Sequence, residues 1–250
     1  MNKTLLFIPA FNCASQIHRV LLSILPHASL FQQILLIDNQ SQDGTVAESR
    51  RAIDELGLEN TKILINPVNI SLGGSHKVAF DFALKEGFNK VVVLHGDDQA
   101  DIADLVAEIK VGAHLGTDCL LGARFHPDSR LIGYSRFRIF GNLLLNLMCS
   151  LVCRRRILDM GSGINLYSSE FLKDTRYRNF SNDLTFNIFL LFHACFNNYK
   201  IKFFPISWKE EDQISNAKVF RQMWIILGLC FKTLLCRNSL YAFNASKAVP

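Results

Sequence analysis

Val91-Val92-Val93-Leu94-His95-Gly96-Asp97-Asp98-Gln99-Ala100-Asp101, residues 91–101, passes from four apolar residues straight into a group of acids. An unbroken apolar run of that length reads as a strand buried on both faces, as in a parallel sheet covered by helices. Open sheets of this kind bind ligands outside the carboxyl ends of their strands, so His95, Asp97, Asp98 and Gln99 are delivered to the edge where chemistry is done. Crowded carboxylates repel one another unless a cation sits among them, and an oxygen-preferring divalent ion is the usual occupant. Mg²⁺ or Mn²⁺ held there would share its charge with the phosphates of a nucleotide. The plainer alternative is a solvated acidic turn in which Asp101 and Asp104 cap a helix starting at Ile102.

The same alternation extends upstream. Residues 4–9 read as a strand, and 15–25 as a helix with Ile17, Val20, Leu21 and Ile24 on one face. A second strand at 33–37 runs into "DNQSQDGT" (38–45), whose turn formers include Asp43 or Thr45 as a helix cap. A third strand at 62–65, a glycine loop "NISLGG" (69–74), a helix at 75–86 stopped by Gly87 and a strand at 90–94 complete the series. Four strand–helix alternations predict an α/β, Rossmann-like, mostly parallel sheet with helices on both faces. Gly73 and Gly74 before a helix can turn backbone N–H groups toward a phosphate, although the spacing is neither G-x-G-x-x-G nor Walker. Beyond residue 120 the pattern mixes apolar helices with short strand-like pieces such as 200–205.

With 250 residues, 49% of them hydrophobic, the chain can build one substantial core. A net charge of +5 is far from the basic faces of nucleic-acid binders, which excludes that class of partner. The seven cysteines form no C-x-x-C pair and read as reduced thiols in a cytoplasmic chain. Histidines show no paired ligand spacing, so no zinc site is expected. No apolar run reaches the length of a spanning helix; 139–153 and 223–236 come nearest and read as amphipathic, interfacial or core helices. Arg154, Arg155 and Arg156 after the first, and Lys218, Arg221, Lys232 and Arg237 around the second, point to peripheral contact with an anionic membrane surface. The same helices could instead pack on each other or build a homo-oligomer.

The ordered series resembles the family 2 glycosyltransferases of the GT-A fold, especially their polyprenyl-phosphate sugar transferases, over about residues 4–220. "PAFN" (Pro9, Ala10, Phe11, Asn12) is similar to the family's P-x-Y-N-E, with Cys13 where the glutamate stands. "IDNQSQDGT" is similar to V-D-D-x-S-x-D-G-T, keeping Asp38 and Asp43 but with Asn39 for the second acid. "NISLGGSHKVAFDFALKEG" (69–87), which carries Gly73, Gly74 and Lys77, resembles the N-x-G-x-G-x-A helix. The D-x-D metal motif falls on His95-Gly96-Asp97, followed by Gln99. "DMGSG" (159–163) resembles D-x-x-S-G, and "PISWKEEDQISNAK" (205–218) the late loop that closes over a diphosphate.

This resemblance implies a GT-A domain at 1–217, with a nucleotide-sugar half at 1–120 and an acceptor half at 121–217, followed by a helical extension at 218–250. It implies transfer with inversion from a UDP- or GDP-linked sugar to a polyprenyl phosphate or a glycan or glycolipid at the inner, cytoplasmic face of a membrane. Pro9, Ala10, Phe11, Asn12, Asp38, Asp43, Gly73, Gly74, Lys77, His95, Gly96, Gln99, Ser162, Gly163, Ser215 and Asn216 would then bind the nucleotide sugar. Asp97, with His95 beside it, would hold Mg²⁺ or Mn²⁺; Lys209 would help the leaving diphosphate; Asp183 or Asp159 would take a proton from a hydroxyl acceptor. A lipid phosphate is already ionised and needs no such base. Two other classes compete. A Rossmann dehydrogenase needs glycines after its first strand, where "PAFNCAS" has none. A non-catalytic membrane-associated scaffold would explain the changes at Cys13, Asn39 and His95.

Overall fold

The structure, a computed structural model, describes residues 3–211 and 219–242, so Ser215 and Asn216 lie outside the described residues. The first half runs β1 (Thr4–Ala10), α1 (Ala14–Ile24), β2 (Gln33–Asp38), α2 (Thr45–Leu56), β3 (Thr61–Ile65), α3 (Ser71–Lys85), β4 (Lys90–Leu94) and α4 (Ile102–Lys110). The second runs β5 (Cys119–Ala123), β6 (Arg130–Ile132), α5 (Arg136–Cys153), β7 (Ile164–Ser168), α6 (Ser169–Lys173), α7 (Phe186–Phe196), β8 (Ile201–Pro205), β9 (Ser207–Lys209), α8 (Val219–Leu235) and α9 (Ser239–Ala242). Every strand expected in the first half is present, within one residue at each end.

Seven strands form one sheet in the order β3-β2-β1-β4-β7-β5-β8. β7 pairs antiparallel with both β4 and β5, and the other pairings are parallel. Alternate residues of each buried strand enter opposite layers, because successive side chains leave a strand on opposite faces. Leu5, Phe7, Val91 and Val93 join the layer of α3, α5 and α7; Leu6, Ile8, Val92 and Leu94 join that of α1 and α4. Since β7 lies between β4 and β5, the expected nucleotide and acceptor halves interleave within one sheet.

Two features differ from the sequence reading. α3 begins at Ser71, four residues early, so Gly73 and Gly74 lie in its first turn rather than in a loop before it. A Cβ on Gly73 would sit 2.7 Å from Phe186 Cβ and 2.8 Å from the Ser181 carbonyl, and the Gly73 N–H donates to Asn182 O at 2.7 Å. A Cβ on Gly74 would meet Ile70 at 2.8 Å. These glycines admit the segment before α7 against α3, and the Gly73 N–H is no longer open to a phosphate. Nor does α8 extend away from the domain: Ile226, Leu229 and Cys230 are buried with Leu145 and Cys149 of α5 in one core.

α5 is long and apolar enough to cross a membrane by length and composition, yet Leu145, Asn146, Cys149 and Val152 are buried within the protein. Its opposite side leaves Phe137, Phe140, Leu147 and Leu151 more than half exposed, and α8 likewise exposes Trp224, Phe231 and Leu235. All seven cysteines are free thiols.

Candidate active site

The carboxyl ends of β1, β2 and β4 meet, locked by the backbone bonds Asn39 N–H to Ala10 O at 2.9 Å and Gly96 N–H to Pro9 O at 3.1 Å. Asn12, at φ +49°, accepts from Gln42 N–H through its Oδ1 at 2.9 Å and donates its own N–H to Ser41 Oγ, also at 2.9 Å. Asp43 accepts from Ala14 N–H at 3.0 Å and from Thr45 N–H and hydroxyl at 3.1 and 2.6 Å, so one carboxylate caps both α1 and α2. Phe11 stands open at the mouth. Asp38 is buried; one oxygen accepts from Ser41 N–H at 3.0 Å and the other, Oδ1, has no hydrogen-bond partner among the described residues. An acceptor buried without a donor is costly, which marks Asp38 as a group that a ligand donor would satisfy.

Asn39 shows why an amide replaces an acid there. Its Nδ2 donates to Asn69 Oδ1 at 2.8 Å while its Oδ1 accepts from Ile70 N–H at 3.0 Å and Asn66 Nδ2 at 3.1 Å. A carboxylate could accept but could not donate to Asn69.

After β4, Asp97 and Asp98 take different roles. Asp97 Oδ1 receives a long bond, 3.3 Å, from Gln99 N–H. Burial pushes its carboxyl up to about 6, against that backbone bond and with the charges of Asp98 and Glu210 adding to the rise. Asp98 is at φ +57° and buried, and its Oδ2 accepts from Arg19 Nε at 2.7 Å and from Lys209 Nζ at 3.0 Å. β9 supplies that lysine: Lys209 N–H donates to Gln99 O at 2.9 Å, and Trp208 bridges Ala100. Glu210 pairs with Arg138 at 2.6 Å and lies 3.5 Å from Gln99 Nε2.

Among the described residues no group of three or more His, Cys, Asp or Glu could cage a metal. The residues present do fit a cation held by Asp97 and completed by ligand oxygens, because that carboxylate has no cationic partner among the described residues and a cation would offset the cost that burial lays on its charge. His95 is held by packing beside α3 and Gly163. Its Nε2 is buried without a partner, its ring lies 6.1 Å from that of His76, and a Cβ on Gly163 would touch its Cγ at 3.2 Å. Burial, then the charge of Arg124, lowers it to about 4, so it is a neutral packing ring between α3 and β7.

Several expected site residues are committed elsewhere. Asp159 forms a buried two-pronged pair with Arg124, Nε to Oδ2 and Nη2 to Oδ1 both at 2.8 Å, and also accepts from Arg124 N–H and Gly161 N–H. With every lone-pair direction in use it is no base. Ser162 is buried with its hydroxyl donating to Ile164 O at 3.0 Å, and Gly163 is where His95 packs, so neither reaches a nucleotide. Lys77 donates to Phe180 O and to Asn182 Oδ1, tying α3 to the segment before α7; burial lowers its ammonium to about 8 against the pull of Asp81. Asp183 is exposed and closes the turn before α7, accepting from Thr185 N–H at 2.8 Å and from the Thr185 hydroxyl. Lys209 does reach the site, but on Asp98.

Sequence reasoning missed Arg19, Arg124, Arg138, Glu210 and the part played by Asp98. Arg124 had a readable signal, since it follows the apolar strand "CLLGA" as Asp97 follows β4. Arg19 and Arg138 had none; they lie on helices and their partners are distant in sequence.

A mostly parallel sheet with one inserted antiparallel strand, and an acidic loop after β4 facing the ends of β1 and β2, define a glycosyltransferase of the GT-A fold. Residues 6–176 match the family described as glycosyl transferase family 2, and the chain belongs to that family. Polyprenol monophosphomannose synthase of Mycolicibacterium smegmatis is 23% identical over 215 residues, covering 84% of this chain and 79% of that protein. Glucosyl-3-phosphoglycerate synthase from Mycobacterium tuberculosis in complex with UDP superposes with a TM-score of 0.68 at 16% identity, over 93% of this chain and 80% of that one. The same enzyme with Mn²⁺, UDP and glucosyl-3-phosphoglycerate gives 0.65 at 16% identity, over 94% and 80%. At that identity the structures establish the fold alone.

Proposed function

We propose that this glycosyltransferase moves a sugar, with inversion, from a nucleoside diphosphate sugar to a polyprenyl phosphate at the cytoplasmic face of a membrane. The observation that carries the acceptor is the state of the two carboxylates expected to serve as base. Asp159 is saturated by Arg124, and Asp183 is exposed and engaged by the N–H and hydroxyl of Thr185 in the turn before α7. A hydroxyl acceptor would need a group to take its proton, whereas a phosphate monoester is already an anionic nucleophile. The polyprenol monophosphomannose synthase relative supports the same acceptor class.

On the donor side, the open oxygen of Asp38 suits a ribose or base donor group, and Phe11 offers a face for stacking. The Mn²⁺ and UDP in the M. tuberculosis enzyme support a divalent cation here. When bound at Asp97 it supplies positive charge to the departing diphosphate. Lys209 adds a second positive group beside it. The outer faces of α5 and α8, with Phe140, Leu147, Leu151, Trp224 and Phe231 exposed and Arg154–Arg156 at the end of α5, support docking on an anionic lipid surface.

The test is transfer from labelled UDP- and GDP-sugars to polyprenyl phosphate and, in parallel, to the free polyprenol. Product only with the phosphate, retained in Asp183→Asn and lost in Asp97→Asn, is expected. Product with a neutral hydroxyl acceptor and none with the phosphate would reverse the assignment. Flotation with anionic vesicles at low salt checks the membrane contact, and the expected result is loss of flotation in Phe140→Glu/Leu147→Glu.

A further inference from the structure

Two adjacent acids follow β4, and the cations around them are shared unequally. Arg19 from α1 and Lys209 from β9 both end on the same oxygen of Asp98, at 2.7 and 3.0 Å, while Arg138 is held by Glu210 at 2.6 Å. Among the described residues Asp97 has no ion-pair partner, although its carboxylate feels both Asp98 and Glu210 as neighbours. A side chain at φ +57° is uncommon outside glycine and persists where the surroundings over-determine it. Here that conformation turns Asp98 inward, to 8% side-chain exposure, between two cations that remain 41% and 37% exposed.

We propose that Asp98 is a positioning residue that keeps Asp97 open for a divalent cation by holding Lys209 and Arg19 away from it. The inference rests on the reading of Asp97 as the cation-holding carboxylate. Removal of the Asp98 charge leaves the Lys209 backbone where it is, because Lys209 N–H still donates to Gln99 O and Trp208 still bridges Ala100. The ammonium, 3.0 Å from Asp98 in the parent, is then free to turn to the carboxylate of the adjacent Asp97, and a lysine on Asp97 competes directly with a metal ion. Arg19 is less free to follow, since its Nη1 is also tied to Ser15 O at 2.9 Å. Lys209 is therefore the competitor that Asp98 restrains.

Asp98→Asn is the appropriate variant: it keeps the shape, tolerates φ > 0 as aspartate does, and removes only the charge. Free Mn²⁺ is measured by its solution EPR signal during titration of the full chain in the presence of UDP, with GDP in a second series. Expected is Mn²⁺ binding about tenfold weaker in Asp98→Asn than in the parent, corresponding to one Coulombic competitor at the site. In Asp98→Asn/Lys209→Met, binding within about threefold of that in Lys209→Met alone, the reference for loss of the lysine itself, is expected because the competitor is gone. A merely structural role for Asp98 would give no such rescue. Parental affinity in Asp98→Asn, or a double variant as weak as the single one, overturns the proposal while leaving Asp97 as the metal ligand. A parent chain that takes up no Mn²⁺ with either nucleotide overturns the Asp97 reading and this one with it.

Discussion

Replacing Asp97 with asparagine should make the metal-free protein more stable and at the same time remove its function. In the unfolded chain the carboxyl ionises at the ordinary value of 3.8, and in the fold only at about 6, chiefly because burial penalises its charge. A raised folded value means that ionisation opposes folding: the cost is absent below pH 4, grows as pH rises through the interval between the two values, and is complete above about 6. The gap of about two units corresponds to at most about 3 kcal/mol, and partial solvent access makes that a ceiling. Asparagine has the same size, can still accept from Gln99 N–H, and carries no charge. Urea unfolding in EDTA at pH 7.5 should therefore show Asp97→Asn more stable than the parent by up to about 3 kcal/mol, which for a chain of this length is a rise of several degrees in Tm. The advantage should vanish at pH 4. Addition of Mn²⁺ and UDP should stabilise the parent by mass action and leave the variant unmoved. If Asp97→Asn is less stable than the parent in EDTA at pH 7.5, the carboxylate is already paired within the protein and the argument for an open cation position fails.

Arg124→Met leaves the buried Asp159 charge without its partner, and loss of about 3–5 kcal/mol is expected by chemical denaturation; a change under 1 kcal/mol would show that Asp159 is reached by water. Gly73→Ala puts a methyl group 2.7 Å from Phe186 and 2.8 Å from a backbone carbonyl, so a loss of about 1–3 kcal/mol in urea unfolding is expected instead of the usual helix gain from alanine. His76 is fully buried, and burial first, then the neighbouring His95, lowers it to about 3. The unfolded chain therefore binds a proton that the folded one refuses, and stability is lost as pH falls below 6.5, by about 2 kcal/mol at pH 5. Comparison of urea midpoints at pH 7.5 and 5 should show a smaller drop in His76→Leu than in the parent; equal drops would refute the assignment.

Local pattern was enough for the part of the molecule whose information is local. Apolar runs of four to seven residues separated by amphipathic helices fixed β1 to β4 within a residue, because strand burial and helix periodicity are written into neighbouring positions. The same pattern placed Asp38, Asp97 and Asp98 at strand ends. It could not show that β7 inserts antiparallel between β4 and β5, since that pairing joins residues far apart in the chain. It also could not assign partners to charges. Asp159 and Asp97 look alike as acids beside a loop, yet one is saturated by an arginine 35 positions away and the other has no cationic partner among the described residues. Gly73 and Gly74 read as a phosphate loop until the approach of Phe186 to the first and of Ile70 to the second explained them as packing. Composition and spacing determine which groups reach the carboxyl edge of the sheet; whether a given carboxylate there is free to hold a cation depends on which distant cation the fold brings within 3 Å of it, and that is decided only by tertiary structure.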